Sequence, residues 1–163
     1  MKKTKIFLIL FICCLLQTIL PIYVKQYEFV KIQFVLIAVV YLCLERSWFD
    51  GLMVGITAGL LMDVFSGGRL GIYILSYGIV GFFVSYYQEK LFEKNLFTTM
   101  LFVFAASILV PTINFNCLKL YNIELNYFHS FKMFILPIAV ANIIVAALFS
   151  MIFRRFYRDR TKA

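Results

Sequence analysis

Six long apolar runs dominate the sequence, and short stretches with charged or turn-forming residues separate them. A helix of about 20 apolar residues crosses the roughly 30 Å hydrocarbon layer of a bilayer, because each helical residue advances about 1.5 Å. The runs therefore predict six transmembrane helices, at residues 6–24, 29–44, 48–65, 70–87, 96–113 and 131–153. The longest polar connection is too short to bury a core of its own. We expect one compact, all-α integral membrane domain over residues 1–163.

Composition and charge exclude several other functions. Hydrophobic residues make up 63% of the chain and charged residues only 15%, unlike a soluble domain. The net charge of +8 comes from cations at the ends of the runs and in the tail, so no basic patch is predicted and nucleic acid is not expected as a partner. Neither a metal nor a cofactor is expected, since the cysteines lack a zinc spacing and His129 is the one histidine.

The distribution of Lys and Arg predicts the orientation in the membrane. With the N-terminus inside, eleven of these residues lie on the cytoplasmic side and five on the outer side, which favours both termini in the cytoplasm of a bacterial inner membrane. The tail RRFYRDRTKA carries five positive charges directly after the last run. It is interpreted first as a stop-transfer anchor, with attraction to anionic lipid or docking of a cytoplasmic partner as alternatives.

Small residues recur along the third and fourth predicted helices. Gly51, Gly55 and Gly59 form a stripe with Asp63, and Gly71, Gly78 and Gly81 mark the next helix. Such stripes let two helices approach closely within lipid. The first interpretation is a tight hairpin of these two helices, and the alternative is a groove for a helix of another protein.

The segment LLMDVFSGGRLG, residues 60–71, places a carboxylate at the end of an apolar helix. A carboxylate near hydrocarbon costs on the order of 3 kcal/mol, so it needs compensation. We expect Asp63 to be neutralised by the amides of Ser66, Gly67 and Gly68 and by the Arg69 guanidinium. The two interpretations of Asp63 are this closing of the turn and a polar contact with a partner or ligand, and they can coexist.

Catalysis is not predicted from these residues. An aspartyl intramembrane protease needs two facing membrane carboxylates, and no second acid faces Asp63, since Asp50 lies at the opposite end of the same predicted span. A buried serine nucleophile lacks a neighbouring base, and SGGRLG does not match a phosphate-binding loop. We expect no enzyme.

Residues 40–82 resemble the family of the rod shape-determining protein MreD. That family's pattern is a glycine-bearing helix that ends in Leu-x-Asp, then a Ser-Gly turn, a Leu or Phe, and a Gly that opens the next helix. The matching residues are Leu61, Asp63, Ser66, Gly67, Leu70 and Gly71. Many relatives have an Arg-Pro-Asp-like start to the second span, where this chain has VKIQF.

The resemblance implies a noncatalytic scaffold of the wall-elongation complex. MreD-like proteins associate with the bitopic protein MreC and, with it, with the wall-elongation glycosyltransferase and transpeptidase and the filament protein MreB. The alternative is a substrate-binding membrane subunit of a vitamin (ECF-type) transporter, whose six-helix fold MreD is thought to resemble. In that alternative, Asp63 and the outer loops would contact a small molecule.

Overall fold

The computed structural model describes residues 3–23, 32–67, 70–90, 96–119 and 135–158, and within these ranges the fold is all-α with six helices. The helices are α1 (Lys3–Tyr23), α2 (Phe34–Cys43), α3 (Trp48–Ser66), α4 (Ile72–Lys90), α5 (Leu96–Lys119) and α6 (Leu136–Arg158). Each apolar run contains one helix. The all-α architecture expected from the sequence is confirmed.

Helix α2 is short and lies at the centre of the bundle. It contacts each of the other five helices, and all its residues from Val35 to Val40 are buried. It begins at Phe34, later than the predicted start at residue 29, because Ile32 and Gln33 are not helical. At about 1.5 Å per residue, its ten residues cover about half of a bilayer's hydrocarbon layer.

The outer helices follow one another around α2. Helix α1 packs on α3, α3 on α4, α4 on α5, and α5 on α6. The interface between α3 and α4 is the most extensive. The core contains Leu10 from α1, the buried side chains of α2 and Tyr77 from α4, all at most 8% exposed in the bundle.

Three helices continue well past the ends of their predicted spans. Helix α4 continues to Lys90, α5 to Lys119 and α6 to Arg158, since a helix can extend past the hydrocarbon layer into the interface. Pro111 lies inside α5 without ending it. Proline removes one backbone N–H, which a transmembrane helix tolerates when neighbouring groups supply hydrogen bonds.

The outer surface of the bundle is apolar. Large hydrophobic side chains are exposed on each of the five helices around α2, among them Phe7 (54%), Leu60 (51%), Phe97 (76%) and Ile144 (59%). A soluble monomer rarely exposes so much contiguous apolar surface. Two described helical segments, Trp48–Ser66 and Phe97–Cys117, are long and apolar enough to cross a membrane, while Thr4–Ile19, Phe34–Cys43 and Leu136–Ser150 are shorter apolar segments.

Aromatic rings gather where α3 begins and α4 ends. Trp48 contacts Phe82 edge to face, with ring centroids 6.0 Å apart, and Phe82 stacks on Tyr86 at 5.8 Å. The Lys90 ammonium lies 4.3 Å from the centroid of the Tyr86 ring. Aromatic and lysine side chains of this kind suit the boundary between lipid and water.

Candidate functional site

The Asp63 carboxylate binds the start of the next helix. Its Oδ2 accepts hydrogen bonds from the backbone amides of Gly71 (2.8 Å) and Ile74 (3.2 Å), and its Oδ1 accepts one from the amide of Tyr73 (3.1 Å). These amides belong to the first turn of α4, which has no helical acceptors for them. The carboxylate is 1% exposed, and the positive end of the α4 dipole compensates its charge.

The donors to the Asp63 carboxylate found among the described residues differ from the predicted amides of Ser66 and Gly67. The expected amides were those of the turn, and the observed ones lie further along the chain, because α4 begins beside the end of α3. The Ser66 hydroxyl donates to the Asp63 backbone carbonyl at 3.4 Å, not to its carboxylate. Gly67 ends α3 with a left-handed φ of 61°, for which glycine is suited. Gly68 and Arg69 lie outside the described residues, and so does the predicted contact with the guanidinium.

Leu70 and Gly71 complete the turn. Leu70 is 76% exposed, so its side chain contributes apolar surface on the outside of the bundle. Gly71 has a φ of 103°, a conformation that residues with a side chain rarely adopt. Its carbonyl accepts the first hydrogen bond of α4, from the Leu75 amide at 3.0 Å. The turn therefore directs Asp63 and α4 towards each other.

The glycine stripe of α3 faces α4 directly. A Cβ at Gly55 would overlap the backbone carbonyl of Tyr77, and one at Gly59 would overlap the carbonyl of Tyr73. A Cβ at Gly51 would overlap the Ser85 hydroxyl. The three positions allow the two helices to touch along their backbones.

Helix α4 occupies the stripe, so the alternative interpretation, a groove for another protein's helix, does not hold there. The two glycines of α4 differ in their surroundings. A Cβ at Gly81 would overlap the Gly51 carbonyl, whereas one at Gly78 would make an ordinary contact of 3.4 Å with Ile56 Cγ1. Only Gly81 of this pair is required for the close approach.

Hydrogen bonds join this hairpin to the end of α2. The Ser85 hydroxyl donates to the Cys43 carbonyl at 2.9 Å, and the Cys43 thiol donates to the Gly51 carbonyl at 3.6 Å. Ser85 and Cys43 are fully buried. The central helix is therefore attached to the α3–α4 hairpin at the end of the hairpin away from Asp63.

A second polar cluster surrounds the start of α2, and the sequence analysis did not identify it. The Asn142 side chain of α6 accepts a hydrogen bond from the Gln33 amide and donates one to the Ser107 hydroxyl of α5, both at 2.9 Å. The Gln17 side chain of α1 accepts a hydrogen bond of 3.0 Å from the Val35 amide. Side chains of α1 and α6 therefore bind the amides at the start of α2, as Asp63 does for α4.

A signal for these residues was available in the sequence. Gln17 and Asn142 are amides within otherwise apolar runs, and polar groups at membrane depth require partners. A further buried pair joins α4 and α5, where the Ser76 hydroxyl donates to Asn114 Oδ1 at 2.8 Å. The partners could not be identified without the arrangement of the helices.

The buried hydrogen-bonded side chains described above join helices to one another. Asp63 is the one buried charged residue among those the structure describes, and its carboxylate oxygens accept three backbone hydrogen bonds. No group of three or more His, Cys, Asp or Glu that can hold a metal occurs within the described ranges. The described sites therefore support helix packing.

The fold and these sites define a small polytopic α-helical protein whose buried polar groups hold helix ends. Residues 2–160 match the family model described as rod shape-determining protein MreD, and the chain belongs to this family. The resemblance expected from residues 40–82 is confirmed over nearly the whole chain. No curated protein and no solved structure matches the chain. With its apolar helices, the chain is a membrane protein with a role in rod shape determination.

Proposed function

We propose that this protein is a noncatalytic membrane scaffold of the bacterial wall-elongation complex. It binds MreC within the inner membrane and, through MreC, links the wall-elongation glycosyltransferase and transpeptidase to MreB. Family membership supports the rod-shape role. The partner is proposed by analogy with the family.

The noncatalytic part of the proposal rests on the burial and the hydrogen bonds of the Asp63 carboxylate. Its carboxylate is 1% exposed and accepts three backbone hydrogen bonds. Both oxygens of this carboxylate are bound to backbone amides at the start of α4, which supports a role in packing. What the described bundle presents to its surroundings is an apolar helical surface, which suits contacts with other transmembrane helices.

The proposed orientation has both termini in the cytoplasm, as the eleven against five basic residues favour. In this orientation Asp63 and the start of α4 lie near the outer face of the membrane, and the aromatic cluster of Trp48 and Phe82 lies near the inner face. The basic tail anchors the last helix at the inner leaflet, where anionic lipid attracts it.

The alternative, a substrate-binding subunit of a vitamin-type transporter, assigns Asp63 to a ligand. The hydrogen bonds of Asp63 to the amides of Gly71, Tyr73 and Ile74 argue against that role, because a ligand would have to replace them. The same experiment tests both functions.

The test is a pull-down of the tagged chain from its native membranes in mild detergent, with the bound proteins identified by mass spectrometry. We expect MreC and wall-elongation enzymes to be enriched over a pull-down with an unrelated tagged polytopic protein from the same membranes. Enrichment of a transporter ATPase with its coupling subunit, and not of MreC, would overturn the scaffold proposal. Recovery of neither set would overturn it as well.

A further inference from the structure

Two adjacent residues weaken the backbone of α5 in its second half. Pro111 has no N–H, so position 111 gives no helical hydrogen bond to the Ser107 carbonyl. The Thr112 hydroxyl donates to the Ile108 carbonyl at 2.7 Å, and this kind of bond within a helix favours bending. Sharp bends in helices occur at prolines and where a side chain enters the backbone hydrogen bonds. The turn of residues 107–112 is therefore the most easily bent part of α5.

The segments of α5 on the two sides of Pro111 are bound to different helices. Before it, the Ser107 hydroxyl accepts a hydrogen bond of 2.9 Å from the Asn142 side chain of α6. After it, Asn114 Oδ1 accepts one of 2.8 Å from the Ser76 hydroxyl of α4. Ser76, Ser107 and Asn142 are fully buried, and such bonds between helices hold them together within lipid. Each segment of α5 is therefore attached to its own neighbour.

The α3–α4 hairpin and α6 are separate parts of the bundle. Backbone contacts at Gly55 and Gly59 and the Asp63 carboxylate hold α4 on α3. Helix α6 packs chiefly on α5 and binds α2 through the Gln33 amide and the Tyr41 hydroxyl. Among the described helices, α6 has no extensive interface with α3 or α4. A change in the shape of α5 therefore changes the position of α6 relative to the hairpin.

We propose that residues 107–112 of α5 form a hinge that lets α6 change its tilt relative to the α3–α4 hairpin. The end of α5, residues 113–119, stays with α4 through Asn114. The earlier part of α5 moves with α6 through Ser107. A tilt of α6 also turns its exposed apolar side chains, such as Ile144, relative to those of the hairpin. The hinge belongs to this chain alone and requires no partner.

Spin-label distance measurements by pulsed electron resonance in lipid nanodiscs test the hinge. Cys117 is replaced by Ser, and the three buried cysteines are shielded from the label. Leu60→Cys with Ile144→Cys, the α3–α6 pair, measures the hairpin against α6, and both positions are exposed. Leu60→Cys with Asn116→Cys, the α3–α5 pair, measures the hairpin against the end of α5. We expect a broader distance distribution for the α3–α6 pair than for the α3–α5 pair.

Replacing the proline tests whether the hinge lies at this turn. Pro111→Ala restores an N–H that can bond the Ser107 carbonyl. We expect the α3–α6 distribution to narrow to the width of the α3–α5 distribution. The matched control is Leu109→Ala, which changes a side chain of the same helix and no backbone amide. This control leaves both distributions as they are in the parent.

A second variant tests the attachment of the end of α5 to α4. Ser76→Ala removes the hydrogen bond to Asn114 and keeps the backbone of both helices unchanged. We expect the α3–α5 distribution to broaden, because the segment after Pro111 then loses its bond to the hairpin. Thermal melting of each variant establishes that it is folded before the distances are compared.

Three outcomes would overturn the hinge. Equal widths for the two pairs in the parent would mean that α6 and the hairpin move as one body. A broad α3–α6 distribution that Pro111→Ala leaves unchanged would place the motion elsewhere in the chain. Narrowing by Leu109→Ala as well as by Pro111→Ala would remove the assignment to the missing N–H. None of these measurements involves MreC, so the scaffold function stands or fails separately.

Discussion

At the scale of single residues, Asp63 shows how a charge is accommodated beside hydrocarbon. The end of α3 disfavours a negative charge and the start of α4 favours one, and the turn brings these two helix ends together around one carboxylate. Three amide hydrogen bonds replace the water that the carboxylate loses. The charge of Asp63 stabilises the contact between the end of α3 and the start of α4. Its partners are these amides because α4 begins beside the end of α3.

Substitution of Asp63 tests this role in stages. Asp63→Leu leaves the amides of Gly71, Tyr73 and Ile74 without their acceptor, and we expect the free energy of unfolding to fall by on the order of 3 kcal/mol. Asp63→Asn keeps one acceptor oxygen, so its loss is smaller. Thermal melting in mild detergent measures both. If Asp63→Leu melts like the parent, the carboxylate does not stabilise the turn.

Asn142 has a comparable role for α2. Its side chain accepts a hydrogen bond from the backbone amide of Gln33 and donates one to the Ser107 hydroxyl. Asn142→Leu keeps the approximate volume and leaves both groups unpaired, so we expect a loss of about 1–2 kcal/mol in the same melting assay. The control is Asn116→Leu, since Asn116 is exposed and bonds only the Thr112 carbonyl of its own helix. Equal melting temperatures for the two variants would contradict the role of Asn142.

At the scale of the helices, side chains of other helices bind the backbone amides at the starts of α2 and α4. Asp63 of α3 binds the first turn of α4, while Gln17 of α1 and Asn142 of α6 bind the start of α2. Water can supply such bonds at a helix end on a protein surface, and a lipid environment cannot. These side chains therefore determine where α2 and α4 start and which helices lie beside them.

The packing of α3 on α4 gives a prediction with an internal control. Gly55→Ala places a methyl group against the backbone carbonyl of Tyr77, and since backbone cannot rotate away, we expect a loss of roughly 2–3 kcal/mol. Gly78→Ala meets only Ile56 Cγ1 at 3.4 Å, and alanine favours the helix, so its melting temperature should match or exceed that of the parent. Similar destabilisation by both variants would argue against backbone contact at Gly55.

At the scale of the whole molecule, the bundle is arranged around α2 with an apolar exterior. Exposed side chains such as Leu60, Phe97 and Ile144 face outward, and the aromatic cluster lies at one end of the α3–α4 hairpin, opposite Asp63. In a bilayer the exterior faces lipid, and the two ends of the hairpin lie near opposite surfaces. From the charge distribution we propose that the Asp63 end lies at the outer surface.

Cysteine labelling tests this orientation in spheroplasts. In a chain whose Cys117 is replaced by Ser, Ser66→Cys and Glu89→Cys each introduce a thiol at an exposed position. We expect a membrane-impermeant maleimide to label position 66 in intact spheroplasts and position 89 only after permeabilisation. The reverse pattern would place both termini outside and contradict the proposed topology.

The apolar runs were sufficient to predict the helices, because a span of apolar residues has few other stable structures in a bilayer. The Leu-x-Asp and Ser-Gly pattern was sufficient to indicate the family, since those residues lie close together in the chain. Local turn geometry suggested the amides of Ser66 and Gly67 as donors to Asp63, whereas the observed donors are Gly71, directly before α4, and Tyr73 and Ile74 within it. The start of α2 at Phe34 was missed for a related reason, since hydropathy does not mark a helix end inside an apolar run.

The sequence by itself determined that this chain is an all-α membrane protein of the MreD family with close-packing glycines on two of its helices. The periodicity of small and apolar residues carries that information within each helix. Only the tertiary structure decided that α4 covers the stripe of Gly51, Gly55 and Gly59, and that Asn142 binds the start of α2. These contacts join residues far apart in the chain, and no local pattern specifies which helices become neighbours.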